Sequence, residues 1–364
     1  MEIAVVGAGL MGRLTALSLT RQGYQVCLFD KDNKQAKQSA AYAAGGLLTP
    51  LGESMSCEPN IVEMGFTSLT MWPELLATLD EKVYFQQQGA IMVSHEHDSG
   101  DYQRFVQHIA RNYDQHIVKS LNRLQLAELE PELAPYFNQG LFLPSEGQID
   151  NRMLLIALQK QLELEQVNWL TEAQVSQINN QTSHCQLTVN EQIQYFDLVI
   201  DCRGVGARAS FDVKQPAFPI EDLRAVRGEL FHLFAPEVHL TRPIRLMHPR
   251  YQLYIAPKPD QVYLVGATEI ESDDLSPMTV RSALELLSAA YSVNSGFAEA
   301  NILQHISQLR PAFSDNQPKV LVDQRLIQVN GLYRHGFLIA PVILKQLLLT
   351  VSQLNKSTIT GTSK

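Results

Sequence analysis

Apolar residues fill positions 3–6 without a break, the pattern of a short strand buried on both faces. Gly7, Gly9 and Gly12 follow, and the period then changes: Leu10, Leu14 and Leu17 recur at helical spacing on one face. Gly23 ends that helix. Residues 25–29 return to a strand pattern, closed by Asp30, 18 positions after Gly12. Farther along, residues 152–164 are spaced as a helix, and VNWLTE (167–172) and FDLVI (196–200) read as strands beside it. RGELFHLF (227–234), QLYIAPK (252–258) and QVYLVGAT (261–268) alternate as antiparallel strands do, and PKPDQ (257–261) is a hairpin turn by its Pro and Asp. An apolar helix is predicted to begin near Gly336. The polar end, residues 356–364, is read as a flexible tail, and no repeat or low-complexity segment interrupts the chain.

Composition narrows the function. At 364 residues the chain exceeds one ordinary core, so two domains are expected. The net charge of -9 argues against non-specific nucleic-acid binding, which needs a basic face, but leaves a small anionic substrate open. The four cysteines, Cys27, Cys57, Cys185 and Cys202, include no CxxC pair, so neither a metal site nor a redox dithiol is expected and a reducing, cytoplasmic compartment fits. The N-terminus has no basic region or small-residue cleavage site of a signal peptide. No apolar stretch is read as reaching the roughly 18 residues of a membrane span. The longest, residues 336–354, is interrupted by Pro341, Lys345 and Gln346, so no stable membrane insertion is expected.

Strand, GxGxxG turn, helix, strand and terminal acid together are what dinucleotide binding demands. The glycines permit a tight turn and close backbone approach. The free N–H groups at the helix start attract a pyrophosphate, and Asp30 can accept hydrogen bonds from ribose hydroxyls. A carboxylate there opposes the 2′-phosphate of NADP. The fingerprint alone does not separate FAD from NAD. The next segment, QSAAYAAGGLLTPLGE (38–53), is too small-residued to fill a core and suits close approach to something flat and wide.

From these motifs onward the chain resembles the FAD-dependent D-amino-acid oxidase superfamily, nearest its glycine oxidase branch, the amine oxidases of the thiazole pathway of thiamine biosynthesis. The resemblance runs nearly end to end. It is carried by the fingerprint with Asp30, the small-residue segment 39–50, FDLVIDCRGVGAR (196–208), VRGE (226–229), LYIAPK (253–258), VYLVGATEIE (262–271), QLRPAF (308–313) and LYRHGFLIAP (332–341), in that order. Cys202 and Arg203 depart from the small residues commoner in the mid-chain turn, and His335 stands where Asn or another residue is frequent.

The resemblance implies an α/β fold: a Rossmann-like FAD-binding domain from residues 1–85, 145–215 and 318–355, interleaved with an α+β substrate domain on an antiparallel sheet from 86–144 and 216–317. It implies substrate contacts from Arg310, Tyr254 and Arg334. A guanidinium suits an α-carboxylate because two parallel charge-assisted bonds fix orientation as well as position. Cofactor contacts are implied for Gly7, Ala8, Gly9, Leu10, Met11, Gly12, Asp30 and Lys31, then Ala40, Ala41, Gly45, Gly46 and Leu47, then Val175, and finally Arg334, His335, Gly336, Phe337 and Leu338. The flavin is expected to be non-covalent, because relatives that attach it use a cysteine after the LRP region and none follows Cys202 here. The implied reaction is hydride transfer from a small amino acid or amine to flavin N5, giving an imine and, with oxygen, hydrogen peroxide. No side chain is assigned as a general base, and His335 is left out of the chemistry. A homo-oligomer is implied. A dehydrogenase that passes electrons to a quinone shares every motif; a non-catalytic flavoprotein, which would have no use for Arg310, Tyr254 and Arg334, and an NAD-dependent dehydrogenase are further alternatives. Leu47, Thr49, Pro50, Gln252 and Leu253 are pocket-wall candidates.

Overall fold

The computed structural model describes residues 1–210, 222–248 and 253–361. Two sheets organise them. The first has six strands in the order 319–323, 326–330, 198–201, 2–6, 25–29, 168–170. The inner pairings are parallel, Val5 beside Ile200 and Leu28, and only the edge strand Lys319–Asp323 runs antiparallel. Continuous apolar runs make this possible: Ile3, Val5, Leu28, Leu198, Ile200 and Ile327 are buried in one core with Leu14 and Leu17 of the first helix, Leu10–Arg21. The helix expected at 152–164 is Asn151–Leu164, started by the Asp150 side chain accepting from the Met153 amide.

The second sheet has nine strands and is almost wholly antiparallel, with one parallel pairing between Ile244–Leu246 and Ala90–Val93. Its spine is the strand Arg224–Phe234, paired along its whole length with Asn301–Ala312. The strands Leu253–Lys258 and Val262–Gly266 form the expected hairpin, turned at Asp260 and Gln261, both in the left-handed region. A separate apolar core lies here, including Phe231, Leu233, Ile255, Val265 and Leu286.

The C-terminal helix, Gly336–Gly361, corrects two expectations. Pro341, Lys345 and Gln346 do not interrupt it. Pro341 cannot donate to the Phe337 carbonyl, and the Trp72 indole N–H donates to that oxygen instead, at 3.0 Å. Tyr333–Lys356 is therefore long and apolar enough to cross a membrane by length and composition, with mean hydropathy 1.7, although half of that apolar window is buried inside the fold. Ile339, Ile343, Leu347 and Val351 point into the first core. The helix extends to Gly361, into the polar stretch read as a flexible tail.

Candidate functional site

A continuous cleft of about 1020 Å³ opens at the carboxyl ends of the parallel strands and runs to the second sheet. That is where open α/β sheets bind ligands. At one end lies the glycine turn. Gly7 has φ +98°, and a Cβ on Gly12 would lie 1.7 Å from the Gly7 carbonyl oxygen, so the turn can close only with glycine there. Gly9, Leu10 and Met11 line the cleft, and no side chain caps the helix that starts at Leu10. Ala8 does not line it; its amide donates to Asp30. The other Asp30 oxygen accepts from the Asp32 amide at 2.7 Å. Burial pushes the Asp30 carboxyl up, against these hydrogen bonds. Arg13, fully buried, braces the turn from behind by donating to the carbonyls of Ala8, Leu155 and Lys34.

Lys31, Ala40, Ala41, Gly45, Gly46, Leu47 and Val175 line the middle of the cleft. A Cβ on Gly45 would lie 2.6 Å from the Tyr254 hydroxyl, and one on Gly46 would lie 2.0 Å from the Ile149 carbonyl oxygen. The small-residue segment thus brings backbone, not side chains, to the cavity wall. Among the wall candidates, Thr49 and Leu253 also line it, Pro50 is buried outside the lining, and Gln252 lies outside the described residues.

Arg310 and Tyr254 meet at the far end. Arg310 lies across from Val226, and its guanidinium rests over Gly228, where a Cβ would be 2.3 Å from its central carbon. The glycine of the VRGE element is therefore a shelf for Arg310. Gly266, paired with Tyr254, leaves similar room for the tyrosine ring. Arg310 donates to the Thr268 carbonyl at 3.0 Å, and among the described residues no carboxylate pairs with it. Burial lowers its pKa, and burial raises that of Tyr254, whose hydroxyl remains a neutral donor.

Arg334, His335, Gly336, Phe337 and Leu338 line the same end. A Cβ on Gly336 would meet no protein atom within 4 Å; the side without Cβ faces open space. Arg334 is tied into a network that sequence reasoning missed. It donates to Glu53 from Nε at 2.8 Å and to Glu269 from NH1 at 2.7 Å. Glu53 also pairs with buried Arg245, and Glu269 accepts from the Tyr333 hydroxyl at 2.5 Å. Burial alone would raise the Glu269 carboxyl; the Tyr333 hydrogen bond and Arg334 outweigh it and hold it low. His335 is buried; its ring nitrogens make no hydrogen bond among the described residues, Nε2 lying 3.5 Å from a Glu53 oxygen, and the ring is pushed down to about 3 by burial and then by Arg334, so it is neutral. Glu53, Arg245 and Glu269 are far apart in sequence and belong to no spacing pattern. Only knowing which strands are neighbours could have found them.

The residues fit a dinucleotide flavin: a glycine turn at an uncapped helix start, a backbone-lined middle, and a second helix start whose open side is the cavity. The FAD dependent oxidoreductase (DAO) family model matches residues 2–347. A Rhizobium etli protein named as a thiamine biosynthesis oxidoreductase, ThiO, is 34% identical over 346 residues, covering 94% of each chain. The bifunctional ThiO/ThiG protein of a Synechocystis strain is 24% identical over 359 residues, and the chain spans 50% of its length. Among solved structures, glycine oxidase from Geobacillus kaustophilus superposes with a TM-score of 0.82 at 22% identity, covering 97% of this chain and 94% of that one.

Proposed function

The chain belongs to the FAD-dependent oxidoreductase family, and from that premise we propose that it oxidises glycine or another small amino acid or amine, with oxygen as final acceptor, in the service of thiazole synthesis. The observation that carries the reading is Arg310: a half-buried guanidinium on a glycine shelf, with no carboxylate partner among the described residues, beside the Tyr254 hydroxyl and facing a flavin-sized cleft. Such a charge is costly to bury unless a ligand answers it. The thiazole role is supported by the likeness to the ThiO relative.

In this proposal the glycine turn, Asp30, the 40–47 backbone and the start of the C-terminal helix hold FAD without a covalent bond. When bound, FAD supplies the two-electron acceptor. Arg310 grips the substrate carboxylate through its fork and Tyr254 donates to the same group, which fixes the orientation of the Cα–H bond. Arg334 closes the wall. His335, being neutral, neither repels an incoming amine nor takes up a proton, so the amine reacts in its deprotonated form without a protein base. The helix start at Gly336 turns N–H groups toward charge that develops beside it. The substrate leaves as an imine, which hydrolyses to a keto acid and ammonia, while oxygen takes two electrons and two protons to become hydrogen peroxide.

The test is anaerobic mixing of the yellow, purified protein with glycine, sarcosine and D-alanine, followed by oxygenated buffer. Bleaching by at least one of them, then rapid return of colour with peroxide, is the expected result. Bleaching without rapid return would replace oxygen by another acceptor. No bleaching by any of the three would overturn the small-amino-acid reading.

A further inference from the structure

Three guanidiniums and two carboxylates crowd the substrate end of the cleft. Arg245, Arg310 and Arg334 line this end of the cleft together with Tyr254. Glu53 is shared between two of them: one oxygen takes Arg245, the other takes Arg334 at 2.8 and 2.5 Å. Glu269 holds the remaining arm of Arg334 at 2.7 Å. Two of the three positive charges are thereby answered from within the protein, and one, on Arg310, is left for a ligand.

Glu53 is also held rigidly in place. It ends the one-turn helix Pro50–Glu53, whose Gly52 amide donates at 2.8 Å to Glu146. Glu146 is wholly buried, and burial pushes it up to about 8, toward its uncharged acid form. Arg245 returns a bond to the Gly52 carbonyl at 3.0 Å. Glu53 cannot swing away without breaking bonds on both sides.

We propose that Glu53 sets the charge class of the substrate, admitting amino acids with one carboxylate and turning away those with a second anionic group; this rests on Arg310 taking the substrate carboxylate. A second anion entering beside Arg334 would have to displace Glu53 or lie against it. Either course leaves two negative groups sharing one compensated cation in a poorly hydrated wall. The cluster thus discriminates by repulsion as well as by attraction.

Calorimetric titration of the flavin-loaded protein with acetate and with malonate tests this without relying on turnover. Wild-type protein is expected to bind acetate at least as tightly as malonate. Glu53→Gln should move the ratio toward malonate by roughly tenfold or more, Glu269→Gln should move it the same way by less, and Glu53→Asp should keep the wild-type preference. Tighter binding of malonate by wild type overturns the proposal even if no variant folds. So does an unchanged ratio in Glu53→Gln, an equal shift in Glu53→Asp, or no binding of either anion. Flavin reduction by glycine, sarcosine and D-alanine is measured separately: its absence with all three beside the expected anion ratios removes the oxidase reading and leaves the charge-class rule standing.

Discussion

At Gly9 the protein has room for a side chain, its nearest neighbour being the Ser39 Cβ at 3.8 Å, whereas at Gly12 a Cβ would strike the Gly7 carbonyl. The two glycines therefore fail differently. Gly9→Val is expected to give a folded, colourless protein, because the added methyls occupy cleft space and nothing else. Gly12→Val should lower the melting temperature sharply whether or not flavin is added. Absorbance at the flavin band and a thermal melt on each variant separate them; a yellow Gly9→Val protein would count against the assignment of this end of the cleft. Arg310 is the other residue whose loss should be clean. Arg310→Ala should raise the KM for the substrate by the equivalent of about 2 to 5 kcal/mol and leave the flavin spectrum alone. Unchanged KM would remove the carboxylate clamp. Both positions were legible in sequence, Gly9 from its spacing and Arg310 from the motif around it. Glu53 was not, since nothing near it in the chain marks it as the partner of Arg245 and Arg334.

Among the elements, the C-terminal helix departs furthest from expectation. Pro341 read as a break because it removes one backbone donor. The helix continues because Trp72, on the helix Pro59–Leu76, supplies the missing hydrogen bond to Phe337. The helix start that lines the cleft is thus fixed by a side chain 265 positions away. Trp72→Phe should cost about 1 to 3 kcal/mol, the price of a buried carbonyl left without a donor. In a Pro341→Ala background, where the residue-341 N–H can make the bond itself, the same change should cost markedly less. Urea denaturation of the four proteins in this cycle measures the coupling, and additive effects would show that the two residues act independently. The strands behave differently. The apolar runs at 3–6 and 198–200 and the alternation at 253–258 are local signals, and the sheets follow them closely.

Over the whole molecule, two buried histidines make stability fall on mild acidification, while Glu146, pushed up to about 8 by burial, works the other way over the same range. His335 and His232 are both buried and both pushed down to about 3, chiefly by desolvation, from an ordinary 6.5. Their folded pKa values lie below the unfolded one, so their contribution is complete above about 6.5 and is lost as pH falls toward 3. Each proton taken up on unfolding steepens the loss by about 1.4 kcal/mol per pH unit. Between pH 7.5 and 5 the denaturant midpoint of wild type should therefore fall relative to that of the double variant His232→Gln, His335→Gln; an unchanged difference would refute the assignment. Periodicity, glycine requirements and short motifs act over neighbouring residues, so the parallel nucleotide-binding frame and the antiparallel partner sheet could be read along the chain, with Arg310, Tyr254 and Arg334 marked in their motifs. Which charges answer one another emerges from packing. Glu53, Arg245, Glu269 and Arg334 come from four distant segments, and Coulomb energy depends on distance in space, which packing sets and spacing in sequence does not.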